Sequence, residues 1–240
     1  MDSNPDFSSK ITKVIFGASN CCGLEVDDQS AKVIAETGAQ AGKIRWLFEL
    51  VDKSEIPVAD VETVIVHLGT NDLREKKNDI ASVELNITDA LAKTRAKFPN
   101  LKTIGLCSIP PKKGRGANNG QFHQVAASVN SYLRKLCDRM PDVVFIDNDT
   151  IFSKCTKQQM KRLYNSNDQS GLHFSREGRL AVVRNMYATL NPLMEASSLY
   201  EDAADGNANK GKRNRSELSA TPSSVERTTK CGGTEDDDDE

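Results

Sequence analysis

Over the first 195 residues, short runs rich in Val and Ile alternate with stretches whose apolar residues recur at helical spacing. This alternation constrains the fold more than any other feature. Near-continuous apolar strands separated by helices require a parallel sheet covered on both faces. Strands are expected at 11–16, 32–35, 61–68, 102–107 and 143–146, the first and third closed by Gly17 and Gly69. The fourth ends before Pro110 and Pro111, where a ladder cannot continue. Helical faces follow from Ile44, Leu47, Phe48 and Val51, then from Val83, Ile87, Leu91, Thr94 and Phe98, and then from Phe122, Val125, Val129, Leu133 and Leu136. A last helix is expected from about Ser175, an N-cap residue, with Leu180, Val183, Tyr187 and Leu190 turned inward. The expected order is β-β-α-β-α-β-α-β-α, with right-handed crossovers. Functional groups then belong just beyond the carboxyl ends of the strands. That rule selects the loops starting at Gly17, Gly38, Gly69, Ile109 and Asp147.

The remainder of the chain is different. Residues 1–9 read as a lead, 10–197 as one domain, and 198–240 as a polar, disordered tail with too little apolar surface to offset chain entropy. The tail holds a basic cluster at 210–215 and a purely acidic end at 235–240. Residues 201–240 carry 11 acidic and 6 basic residues, which leaves 26 basic and 23 acidic in the body. So small an excess of positive charge neither announces nor excludes a nucleic-acid partner. No apolar run reaches the roughly twenty residues of a membrane helix, and the first residues lack a secretory pattern. Six cysteines without regular spacing fit neither a disulfide framework nor a zinc site. An intracellular setting, cytoplasmic or nuclear, is the expectation.

Four of the selected loops carry chemistry. The first reads Ile15-Phe16-Gly17-Ala18-Ser19-Asn20. A serine at a tight strand-to-loop turn presents a nucleophile, with glycine permitting the bend; taken alone, a serine there is more often a polar turn residue. Gly38 in the second loop has a backbone N–H to offer an oxyanion, or simply shapes a turn. The third runs from the strand into Gly69-Thr70-Asn71-Asp72, where the Asn71 amide is placed to donate to developing negative charge, or to form a local turn. His67, inside the preceding strand, reads as a core histidine. In the last loop, Asp168-Gln169-Ser170-Gly171-Leu172-His173, a histidine ahead of the final helix suits a general base. Cys21 and Cys22 lie near Ser19 but off the turn position, and read as bystanders rather than thiol nucleophiles.

Gly17-Ala-Ser19, Gly38, Gly69-Thr-Asn71 and Gly171-Leu-His173 occur in the order and context of the four sequence blocks of the SGNH, or GDSL-like, hydrolases. The chain resembles that superfamily over about residues 10–195. His67-Leu-Gly-Thr-Asn-Asp-Leu73 and Ser108-Ile-Pro-Pro111 look most like the SGNH domains encoded by LINE-type retrotransposons. The resemblance implies a three-layer, flavodoxin-like α/β/α fold with a five-stranded parallel sheet, and a serine esterase acting on small acyl esters. It casts Ser19 as nucleophile, His173 as general base, and Ser19, Gly38 and Asn71 as the oxyanion hole. It implies no metal and no organic cofactor.

Two positions depart from the family pattern. The family places Asp before the serine, where this chain has Ala18. It places its acid three residues before the histidine, where this chain has Ser170. Asp168 lies five residues before, and two extra residues span up to about 7 Å, so a bulged loop brings its carboxylate to the imidazole. Without the bulge, His173 has Ser170 alone as a weak orienter. The competing expectation is a degenerate domain that binds RNA or protein. Lys112, Lys113 and Arg115, with Arg134, Lys135 and Arg139 nearby, would then contact phosphates, or form only a solvated face. A third role is a scaffold carried by the acidic tail. The oligomeric state stays open.

Overall fold

The computed structural model describes residues 10–75, 79–113 and 117–205, with side chains at 117–119 and 193–205 left undescribed. The lead at 1–9, Arg115 and the tail from 206, with its basic cluster and acidic end, lie outside the described residues.

Five strands form one parallel sheet in the order β2-β1-β3-β4-β5. They are β1 (Lys13–Gly17), β2 (Ala31–Ala35), β3 (Thr63–His67), β4 (Thr103–Cys107) and β5 (Val143–Ile146). Parallel strands need both faces covered, and the period-two alternation of the strands divides their side chains between two cores. Val14, Phe16, Val64, Val66, Ile104 and Leu106 enter one core. Ile15, Ile65, Cys107 and Ile146 enter the other.

The first core is roofed by α1 (Arg45–Lys53), α3 (Ile80–Lys97) and α4 (Ala117–Asp138). Phe16, Phe48 and Phe98 meet there, with ring centroids 5.7 to 6.3 Å apart. The second is roofed by α5 (Asp149–Ser153), α6 (Lys157–Leu163) and α7 (Arg176–Asp205). Its aromatic group is Phe152, Tyr164 and Phe174, with Phe152 and Phe174 stacked at 4.6 Å. Phe174 directly follows His173, so the second core anchors the last functional loop from beneath. Among the described residues the remaining α-helix is α2 (Thr70–Glu75).

The structure amends the sequence reading in three places. Helix α7 buries Val182, Met186 and Leu190, an i, i+4 ridge, while Leu180, Val183 and Tyr187 are only half-buried. Both stripes have helical period and share Leu190, and the ridge that lands on Ile15, Ile65 and Ile146 is turned by about one residue position around the helix from the expected face. Helices α2, α5 and α6 were not foreseen because each is too short to show a period. A capping box at α6, with Thr156 accepting from Gln159 N–H and the Gln159 side chain accepting from Thr156 N–H, was the readable sign of it. Finally, Gly17 is not bent into the left-handed region; it is the last residue of β1, paired with Ala35 and His67. Its reason for being glycine is space, since a Cβ there would lie 2.2 Å from Cys21 Sγ.

The chain divides into two compact units, Met1–Leu199 and Tyr200–Glu240. Of the second, only the backbone of 200–205 is described. Among the described residues no helix is long and apolar enough to cross a membrane.

Candidate active site

The strand order 2-1-3-4-5 reverses direction between β1 and β3, and in open α/β sheets the crevice at that switch point is where ligands bind. A cleft of about 150 Å³ lies there, and Ser19, Gly38, Asn71 and His173 all line it. The level register of β1 with β2 and β3, Gly17 opposite both Ala35 and His67, brings the first three loops out at one rim.

Ser19 sits in the turn after β1, half-buried. Its carbonyl accepts Cys22 N–H at 3.3 Å, and among the described residues neither its hydroxyl nor its N–H has a protein partner. The Gly38 loop is held from two sides. Glu36 N–H donates to Gly17 O at 3.2 Å, and Ala39 N–H to Glu36 O at 3.1 Å, across a left-handed Gly38 at φ +84°. On the other side, two adjacent residues of α2 grip the same loop. Asn71 Nδ2 donates to Ala39 O at 3.0 Å, which leaves its second N–H toward the cleft. Asp72 is buried and accepts from Ala41 N–H, Gly42 N–H and Asn86 Nδ2 at 2.9, 3.0 and 3.1 Å.

In the sequence Asp72 is only the end of the Gly69–Asp72 motif. Its carboxylate sets the Gly38 loop against Asn71. Asp72→Ala leaves the buried Ala41 N–H, the half-buried Asn86 amide and the Gly42 N–H without their acceptor, and is expected to destabilise the fold by about 2–4 kcal/mol, measured as a drop in the urea midpoint with unchanged slope. A loss under about 0.5 kcal/mol would remove Asp72 from this role.

The last loop is bulged. Gly171 takes φ +68°, and a Cβ on it would lie 2.7 Å from the Lys113 carbonyl. Lys113 N–H donates to Gly171 O at 2.8 Å, which ties the β4–α4 connection to this loop. The bulge places Asp168 Oδ2 3.1 Å from His173 Nδ1. Asp168 also accepts the N–H groups of Ser170, Leu172 and His173 at 3.0, 2.8 and 2.7 Å, and the Ser170 hydroxyl at 2.7 Å. Burial opposes ionisation of this carboxyl. The bonds from His173 N–H, the Ser170 hydroxyl, the His173 ring and Ser170 N–H outweigh it and hold the group well below the usual carboxylate range. Ser170 therefore serves Asp168 and is not the orienter of the ring. The His173 side chain is 44% exposed at the cleft mouth, and among the described residues no hydrogen bond yet joins it to Ser19 Oγ.

Asn20 carries no sequence signal beyond standing next to Ser19. It is buried beside Ser19, accepts Phe174 N–H and donates to Leu172 O.

His67 lines the same cleft from the end of β3, and Cys21 and Cys22 lie in the turn that follows Ser19. Burial pushes the His67 imidazole down to about 4, so it is neutral at pH 7, and its Nδ1 lies 3.6 Å from Cys21 Sγ. Burial, with Cys22 beside it, pushes the Cys21 thiol up to about 12. The Cys22 thiol lies 3.7 Å from Ala18 O.

The basic residues are regrouped. Lys112 stacks over Phe122 at 4.7 Å and lines a second cavity of about 520 Å³ together with His123, Lys157 and Lys161. Arg134 is held apart, by an ion pair to Asp147 at 2.7 Å and by the Phe145 ring. Among the described residues no cluster of His, Cys, Asp and Glu is arranged to hold a metal.

A flavodoxin-order sheet with a serine, a histidine–carboxylate pair and N–H donors around one switch-point cleft defines the class as an open α/β fold with its candidate site at the switch point. The sequence agrees with that class at the level of family. Residues 23–181 match the model of the GDSL-like lipase/acylhydrolase family, and the chain belongs to it. No curated protein matches the chain.

Solved structures share the fold at low identity. One is a Parabacteroides merdae protein described as a GDSL-like lipase, 17% identical, with TM-score 0.58 over 76% of this chain and 96% of that one. Another is the C-terminal catalytic domain of Streptococcus pneumoniae peptidoglycan O-acetyltransferase A, 12% identical, with TM-score 0.52 over 76% and 94%. A third is the acetylxylan esterase Axe2 of Geobacillus stearothermophilus, 13% identical, with TM-score 0.53 over 74% and 93%.

Proposed function

We infer that this protein is a serine esterase for small acyl esters. The observation that carries the reading is the cleft itself, where Ser19, His173 and the donors of the Gly38 and Asn71 loops meet although they come from four distant loops. Ser19 Oγ attacks the ester carbonyl while His173 Nε2 takes its proton. Asp168, fixed by its own loop, accepts from Nδ1–H and stabilises the imidazolium that forms. The N–H groups of Ser19 and Gly38 and the free N–H of Asn71 hold the oxyanion. The alcohol leaves with the proton from His173. Water then enters by the same route to release the acid and restore Ser19. The small cleft and polar rim favour a short acyl group such as acetyl over a long chain.

The direct test pairs a short-chain chromogenic ester with a fluorophosphonate. Hydrolysis and stoichiometric labelling at Ser19 are expected. A folded protein that does neither would sink the reading.

The motif from His67 to Leu73 also supports a place beside the SGNH domains of LINE-type retrotransposons. A second reading, polyanion binding, is favoured by the cavity where Lys112, Lys157 and Lys161 converge with no acidic residue in its lining. Double charge reversal, Lys157→Glu with Lys161→Glu, is then expected to abolish salt-dependent RNA retention and to leave ester hydrolysis intact. Retention that is absent in the parent protein at about 50 mM salt would dismiss it.

A further inference from the structure

Asp168 orients the ring of His173, but both residues belong to one loop, so their bond cannot set that loop's distance from Ser19. The link is made elsewhere. Asn20, 9% exposed, follows Ser19 in the chain and reaches a partner 154 residues away. Its Oδ1 accepts Phe174 N–H at 2.9 Å, and its Nδ2 donates to Leu172 O at 3.0 Å. The two backbone groups it takes stand on either side of His173. A primary amide carries a donor and an acceptor side by side, and this spacing uses both.

We propose that Asn20 is a positioning residue that locks the general-base loop in register with the nucleophile turn. The proposal rests on the reading of Ser19 and His173 as nucleophile and base. The geometry around the clamp supports it. Leu172 and Phe174 are both buried, so the extended segment between them has His173 as its outward side chain. Phe174 is fixed from below by Phe152 and Tyr164, and Gly171 is fixed from the side by Lys113. Those contacts hold the loop to the body of the fold. Asn20 ties it to the turn that carries the attacking oxygen. An amide at this position therefore couples the two halves of the site, which a residue meant only to fill the turn has no need to do.

The test compares Asn20→Leu, similar in volume and without hydrogen bonds, with Asn20→Asp, which keeps the acceptor for Phe174 N–H and loses the donor to Leu172 O. Misplacement by about 1 Å costs roughly a hundredfold in rate. Asn20→Leu is expected to lower kcat on p-nitrophenyl acetate by about ten- to a hundredfold with KM within about threefold. Fluorophosphonate labelling of Ser19 should slow in parallel, and Asn20→Asp should fall between the two. Amide exchange at Phe174 should quicken in Asn20→Leu and stay protected in Asn20→Asp.

A merely structural asparagine would lower the melting temperature and leave kcat per labelled site unchanged well below it; that result overturns the proposal. If the parent protein neither hydrolyses esters nor labels, the esterase reading fails by itself. The clamp is then judged by Phe174 exchange alone: faster exchange in Asn20→Leu upholds it as a device of the fold, and unchanged exchange removes it.

Discussion

Ser19→Ala is expected to abolish ester hydrolysis, by about a thousandfold to a millionfold in kcat, and to leave stability within about 0.5 kcal/mol. The two halves of that expectation have different origins. The stability half follows from bonding. The Ser19 hydroxyl is half-buried and has no partner among the described residues, so truncation strands no donor or acceptor. The rate half follows from the site acting as a unit. Without Oγ there is no acyl-enzyme, and what survives is the modest assistance of the oxyanion donors to direct attack by water. Non-additivity sharpens the check. His173→Ala should cost nearly as much, and the double variant should be no slower than the worse single one. Single and double variants are compared by initial rates per mole of folded protein, with fluorophosphonate labelling of the parent as the site count. Full activity in Ser19→Ala, or losses that multiply in the double variant, would refute the shared mechanism.

How far the sequence went depends on the size of each signal. The sheet was legible because five apolar runs ended in recognisable breaks, and the 143–146 strand needed no adjustment. The ends of β1 and β3 were read too long, since Ile11, Thr12, Val61 and Leu68 are apolar or β-branched neighbours of the ladder without belonging to it, and Glu62 stands between Val61 and the first paired residue. Residues 70–75 and 149–163 were not legible as helices, because a helix of five to seven residues shows fewer than two full turns of pattern.

The site divides the same way. Ser19, Gly38 and Asn71 stand just after strands and His173 just before α7; the resemblance to the four SGNH blocks singles them out, and the parallel topology brings their loops to one rim. Asp72, Asn20 and the bulge at Gly171 are relations between distant loops. A carboxylate accepting from residues 30 and 31 positions away leaves no periodic trace. Nor could the sequence say that Lys112 would join Lys157 and Lys161, because the helix that carries the latter two was itself unseen.

Asp168→Ala is the variant in which fold and chemistry should fail together. In the serine proteases, changing the corresponding acid to its amide lowers turnover about ten-thousandfold, because the histidine loses the partner that fixes its tautomer. A loss of about a thousand- to ten-thousandfold in kcat is expected here, as Asp168 Oδ2 is the acceptor on His173 Nδ1. Unlike Ser19, Asp168 also holds its loop together. Its removal strands the N–H groups of Ser170, Leu172 and His173, at a cost of about 2–4 kcal/mol. The pH dependence has a definite sign. The folded-state carboxyl is held below its unfolded value of about 3.9. Its stabilisation is therefore complete above that value and is lost as the pH falls toward the folded one. The stability gap between the parent protein and Asp168→Ala, taken from urea midpoints, should be widest near neutrality and narrow steadily below about pH 4. Asp168→Asn should keep part of the loop bonding and still lose the rate, which separates the two duties. A gap that stays constant down to about pH 3 would show that the ionised carboxylate does not stabilise this loop. An Asp168→Asn protein with full turnover would show that His173 does not depend on it.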